Sequence, residues 1–153
     1  MKDLDYLRME QVEAMIAPFK DTVEVPKPRG GWIRAIREAL GMTNIQLAAR
    51  MRRKAPQTIE DMQDYEVTET IKLKTLREVA KALNCRLVYA FVPIKPLEEL
   101  RRERARELAR TLLARSSHSM RMEQQGVSDV EEQRELERQI QKLLSGNPKK
   151  LWD

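Results

Sequence analysis

Residues 31–93 read GWIRAIREALGMTNIQLAARMRRKAPQTIEDMQDYEVTETIKLKTLREVAKALNCRLVYAFVP. Apolar side chains recur here at helical spacing and are broken by short polar turns, so the segment predicts several short helices closed by one strand. Trp32 to Leu40 forms the first helix, with Trp32, Ile33, Ile36 and Leu40 on one side, and Gly41 ends it. Thr43 opens a second helix through the capping box Thr43-Asn44-Ile45-Gln46, in which hydroxyl and amide satisfy orphan backbone donors. Ile45, Leu47, Ala48 and Met51 are expected inward, and Ala48 is small enough to let two helices cross closely. A basic turn, Arg52 to Ala55, leads to Pro56, a residue suited to a first helical position, and to a third helix that buries Ile59 and Met62.

The same stretch continues with a helix over Thr75 to Leu83, whose Leu76, Val79, Ala80 and Leu83 stand at i, i+3, i+4 and i+7. Asn84 is a residue that tolerates the left-handed stop. Arg86 to Val92 then alternates β-formers up to Pro93 and predicts a strand. A lone strand leaves its backbone unsatisfied, so the same strand of a second subunit is the expected partner, through Leu87, Val88, Tyr89, Ala90 and Phe91.

Outward from this core, residues 4–20 place Leu4, Leu7, Val12, Met15, Ile16 and Phe19 near helical spacing, which predicts an amphipathic helix. Such a helix either packs on its own domain or serves as a partner-binding arm. Val25 to Gly31 is an extended basic connector, and Arg29 within it is placed to enter a minor groove beside a docked helix if the connector is more than a linker. Residues 97–124 form a long arginine-rich helix with a stripe of Leu97, Leu100, Ala105, Leu108, Leu112 and Leu113. Ser128 and Glu131 cap a last helix that runs to about Leu144, and the chain closes on Leu151-Trp152-Asp153. The expected organisation is an N-terminal helix and arm over 1–30, a helical core with a closing strand over 31–93, and a helical extension over 94–153.

The chain of 153 residues carries a formal charge of +5, which permits a nucleic-acid partner without requiring one. Distribution says more than the total. Between Lys27 and Lys54 lie the eight bases Lys27, Arg29, Arg34, Arg37, Arg50, Arg52, Arg53 and Lys54 against the one acid Glu38, while Gln57 to Glu69 holds five acids and no base. One cysteine, Cys85, and one histidine, His118, exclude an intramolecular disulfide and leave no constellation for a metal centre or for nucleophilic catalysis. The expectation is a non-enzymatic protein without cofactor or metal. No apolar run reaches the roughly 20 residues of a membrane span, and the N-terminus lacks a signal-peptide core, so a cytoplasmic protein is expected.

Gln46-Leu47-Ala48 and Pro56-Gln57-Thr58-Ile59, with the apolar pattern through Met62, resemble the helix-turn-helix of the Xre/Cro family of repressors. The resemblance implies a mostly α fold, with a lambda-repressor-like helix-turn-helix core followed by one short β-strand and flanked by helical extensions. Gln57, Thr58 and Asp61 would face base edges, since an amide suits adenine and a carboxylate accepts from cytosine. Arg29, Thr43, Asn44, Gln46, Arg53 and Lys54 would hold phosphates, helped by the start of the second helix. This sequence departs from the family in its turn, which lacks the usual glycine and is about one residue longer. It departs again in its third helix, which carries Glu60, Asp61 and Asp64.

GWIRAIREALGMT, TIKLKTLREVAKALNCRLVYAFVP, SHSMRMEQQ and a terminal LWD, in that order, resemble the mobile mystery protein A family. Members are typically encoded beside a Fic-domain protein, mobile mystery protein B. The resemblance implies an antitoxin-like autorepressor that binds double-stranded operator DNA as a homodimer and neutralises a Fic-domain partner through its C-terminal helices. Fic inhibitors carry Ser/Thr-x-x-x-Glu-Gly/Asn on a helix over the ATP site. Ser119 to Glu123 matches its first five positions, and Gln124 departs at the sixth. The alternative is a protein-interaction module or a plain transcriptional regulator that binds DNA weakly and has no toxin partner.

Overall fold

The computed structural model describes residues 2–53, 55–120 and 128–153. It is mostly helical and divides into two compact units, Asp21–Ala90 and Met1–Lys20 together with Phe91–Asp153.

The unit over 21–90 contains α2 (Gly31–Ala39), α3 (Asn44–Arg50), α4 (Gln57–Val67) and α5 (Leu73–Ala82). Its core is Ile33, Leu47, Ala48, Ile59, Met62, Val79 and Leu83, with Ile36, Met51 and Leu76 packed around it. Burying each large aliphatic side chain stabilises by about 1.5–3 kcal/mol, so this cluster is what holds short helices that would not persist alone. The expected stripes are therefore mostly present, with three corrections. Ile45 is 66% exposed, because on a helix of only seven residues Leu47, Ala48 and Met51 already make up the inward face. Trp32 and Leu40 are also exposed, leaving Ile33 and Ile36 as the buried side of α2.

Each of these four helices ends in the same way. Gly41, Arg52, Glu69 and Asn84 adopt left-handed φ values of 65°, 55°, 59° and 56°. The next N–H then closes a six-residue loop onto the helix, from Met42 to Arg37, Arg53 to Ala48, Thr70 to Tyr65 and Cys85 to Ala80, at 2.7–2.9 Å. This arrangement satisfies carbonyls that a helix end leaves orphaned. Arg52 takes the place a glycine would fill in the α3–α4 turn.

The expected strand over 86–92 does not form: no strand is found among the described residues, and no backbone hydrogen bond joins 86–92 to them. The physical reason is that a single strand has nothing in its own chain to pair with. Val88, Tyr89 and Phe91 are exposed there, Phe91 at 91%.

The other unit contains α1 (Lys2–Ile16), α6 (Leu97–Met120) and α7 (Asp129–Ser145), with 3-10 turns at Ala17–Thr22 and Pro148–Leu151. Ser128 caps α7 by accepting the Glu131 N–H. Ala105 and Ala109, one helical turn apart, are fully buried against Ile140 and Leu151. Two alanines on one face let α7 and the terminal turn approach α6 closely. Leu151 is locked by the Arg104 Nε, which donates to its carbonyl at 2.6 Å, whereas Trp152 is 62% exposed.

α1 corrects the expected amphipathic face. Asp5, Met9, Glu13 and Ile16 are its half-buried stripe, while Leu4, Leu7, Val12 and Met15 are exposed. The Glu13 carboxylate accepts the Leu97 N–H at 2.8 Å and so caps the start of α6. A polar contact, not the leucine spacing, sets the rotation of α1.

Candidate nucleic-acid interface

α3 begins with a complete capping box. The Thr43 hydroxyl accepts the Gln46 N–H at 3.2 Å, and the Gln46 amide oxygen accepts the Thr43 N–H at 2.8 Å. These two proposed phosphate contacts are therefore held in place by each other, and the donors they satisfy are already spent within the chain.

α3 is braced on α4 through a polar chain. Arg34 Nε donates to the Gln63 amide oxygen at 3.0 Å, and the Gln63 amide nitrogen donates to Asn44 Oδ1 at 3.1 Å. The Asn44 amide nitrogen reaches Glu60 at 3.4 Å. Gln63 is only 1% exposed, so both ends of its amide need these partners. Asn44, expected at a phosphate, is thus also a strut between the two helices. The sequence reading missed Gln63. The signal was present: Ile59, Met62, Gln63 and Glu66 stand at i, i+3, i+4 and i+7, so two polar residues share the inward face of α4.

Glu66 uses that inward position to cap another helix. Its carboxylate accepts the N–H groups of Trp32 at 2.6 Å and Ile33 at 3.0 Å, at the start of α2. Gly31 precedes them at φ +83°, and a Cβ there would lie 2.6 Å from Glu66 Oε2.

At the start of α4, Gln57 is exposed, and Thr58 and Asp61 are half-buried. The Gln57 amide nitrogen lies 3.4 Å from Asp61 Oδ1, one turn along the helix. The structure thus brings Gln57 and Asp61 together, with Asn44 beside the same turn through Glu60.

The basic block is mostly committed to the fold. Lys27 pairs with Glu69 at 2.9 Å, Arg34 with Gln63, and Arg53 with Glu78 at 3.4 Å. Arg37 donates to the Met42 carbonyl at 2.7 Å, and Arg50 to the Ala82 carbonyl at 2.6 Å. Arg29 and Arg52 are exposed and make no hydrogen bond or ion pair among the described residues. Arg52 is a cation the sequence reading did not single out as a contact. Lys54 lies outside the described residues. The Lys27 ammonium, hydrogen-bonded to Glu69, holds that carboxyl below the usual glutamate range.

Ser119 falls within α6, whereas Glu123 lies outside the described residues. Among the described residues, no His, Cys, Asp or Glu cluster is arranged for a metal ion, and no helix is long and apolar enough to cross a membrane. No family model, curated protein or solved structure matches this chain.

Proposed function

We propose that the chain is a DNA-binding antitoxin and autorepressor. In this reading α3 and α4 are a helix-turn-helix, two copies bind a palindromic operator, and the C-terminal helices neutralise a Fic-domain partner. The observation that carries the reading is the bracing of α3 on α4. Asn44 of α3 is bonded to Gln63 of α4, which Arg34 of α2 holds from its other end, and Gln57 stands exposed at the start of α4, where a recognition helix offers its first residues to base edges. Arg29 and Arg52 supply uncommitted positive charge to a phosphate backbone. The exposed Val88, Tyr89 and Phe91, in a segment without backbone hydrogen bonds among the described residues, support pairing with its counterpart in a second copy.

The operator claim is tested by a gel shift with the DNA upstream of the chain's own gene, across a salt series. Binding no tighter than to random DNA at low salt overturns it. The partner claim is tested by co-purification with the neighbouring Fic-domain protein and assay of its AMP transfer. If Glu123→Gly leaves the inhibition complete, the inhibitory-motif reading of Ser119 and Glu123 fails.

A second reading, a protein-interaction module that kept this fold, is favoured by the acids on α4. Glu60 and Asp64 are exposed and Asp61 partly so, and each repels a nearby phosphate. It expects partner binding that survives Gln57→Ala and Thr58→Ala.

A further inference from the structure

An open groove of about 350 Å³ runs between α2 and α5 in the 21–90 unit. Trp32 and Ile36 of α2, Leu76 and Ala80 of α5, and Leu87 beyond α5 line it. Of its lining residues only Glu66 and Arg86 are charged, and the Glu66 carboxylate is already committed to the N–H groups of α2. The groove therefore suits an apolar side chain.

The segment that borders the groove alternates. Cys85 and Leu87 are half-buried while Arg86 and Val88 are exposed, so the odd-numbered residues form its inward face. Tyr89 and Phe91 continue that face, yet both are exposed, Phe91 at 91%. Half of one face is covered and half is bare. Pairing all of 86–92 with the same residues of a second copy, in antiparallel sense, requires Tyr89 to stand opposite its own counterpart. Phe91 of each copy then lies opposite Leu87 of the other and on the same face, beside the groove that Leu87 lines. Arg86, the one charged residue of the segment, falls opposite Val92, so like charges do not meet.

We propose that each copy seats Phe91 in the other's groove, against Trp32, Ile36, Leu76 and Ala80. The area fits a second copy as occupant. At roughly 150–250 Å² for a whole aromatic side chain, the exposed parts of Trp32, Val88, Tyr89 and Phe91 amount to about 500 Å² per copy. A standard interface takes about 800 Å² from each partner, a little over half of it apolar. The proposal rests on the homodimer reading and names what holds the two copies together besides backbone pairing.

Sedimentation equilibrium of the full chain gives the first test. The parent chain dimerises, and Phe91→Ala raises the dimer dissociation constant about a hundredfold or more, because two seated rings are lost. Ile94→Ala, equally exposed but beyond Pro93, changes it less than about threefold. Both side chains are exposed, so both variants fold, as circular dichroism checks. A Cys85→Ser/Tyr89→Cys variant, oxidised to a crosslinked dimer, keeps the segments paired whatever their affinity. With Trp152→Phe leaving Trp32 as the one tryptophan, emission of the crosslinked dimer moves to the red when Phe91→Ala is added. A parent chain that stays monomeric at high micromolar concentration overturns the homodimer reading and this proposal with it. A dimer whose dissociation constant and Trp32 emission ignore Phe91→Ala overturns the proposal alone. So does a dimer that fails to crosslink through Tyr89→Cys, or one that Ile94→Ala weakens equally.

Discussion

The Glu66 carboxylate accepts the Trp32 N–H at 2.6 Å, so the far end of α4 caps the start of α2 across 34 residues of sequence. A helix start buried without such a partner would leave donors unsatisfied, and Gly30, which precedes α2, offers no side chain to serve.

Removing this cap destabilises the 21–90 unit. Glu66→Ala is expected to cost about 1–2 kcal/mol, and Glu66→Gln recovers part of it because an amide oxygen still accepts one N–H. Gly31→Ala costs at least as much, since it combines a left-handed backbone with the collision at Glu66. Urea midpoints at constant slope measure all three, and a wild-type midpoint for Glu66→Ala would refute the role of the cap.

The Arg34–Gln63–Asn44 chain is expected to behave as one unit. Gln63→Leu takes the acceptor from Arg34 Nε and the donor from Asn44 Oδ1 and costs about 1–3 kcal/mol. In an Asn44→Ala/Gln63→Leu cycle, the double variant loses less than the sum of the two single variants. Strict additivity would mean that the contact contributes nothing.

Arg52 holds a left-handed conformation at a turn where glycine carries no steric cost. Arg52→Gly is therefore expected to raise stability by up to about 1 kcal/mol while removing an uncommitted cation. If this turn lies on DNA, the same variant flattens the plot of log affinity against log salt by about 0.9, as does Arg29→Ala. Thermal unfolding and a salt-series gel shift read the two effects separately.

On the DNA-binding reading, Gln57→Ala is expected to cost about 1–3 kcal/mol of operator affinity, with little change in folding because the side chain is exposed. Asp61→Asn, by removing a negative charge beside it, strengthens binding to random DNA and narrows the discrimination between operator and random sequence. Equal affinities for both sequences in the parent chain would instead favour the interaction-module reading.

Glu69 is expected to titrate below the ordinary glutamate value, and Lys27→Met returns it to that value, as followed by carbon NMR of the carboxyl group. A depressed folded-state pKa means that the pairing contributes stability above the unfolded pKa. That contribution disappears as pH falls through the folded value. Both side chains are on the surface, so high salt weakens the effect.

Much of the helical core was legible because its signals are local. The Thr43–Gln46 capping box, the Gly41 and Asn84 stops and the buried spacing of Ile59, Met62, Val79 and Leu83 follow from backbone chemistry and periodicity that neighbouring residues set together. The basic block was misleading for the opposite reason. Charge counted along a chain does not say whether an arginine is uncommitted or, like Arg34, Arg37 and Arg50, already donates to a carbonyl or an amide in another turn.

By itself the sequence determined that this chain forms short capped helices and where most of them stop, since capping and left-handed termination are settled within six residues. Tertiary structure alone decided what the inward polar positions do. Spacing puts Gln63 and Glu66 on the inward face of α4, but their partners exist only once α2 and α3 are brought against it, because a buried donor or acceptor is defined by what packing takes away from water. The same holds for α1, whose rotation follows Glu13 on the Leu97 N–H and leaves Leu4, Leu7, Val12 and Met15 outward. It holds also for 86–92, whose β-forming residues cannot become a strand until another strand lies beside them.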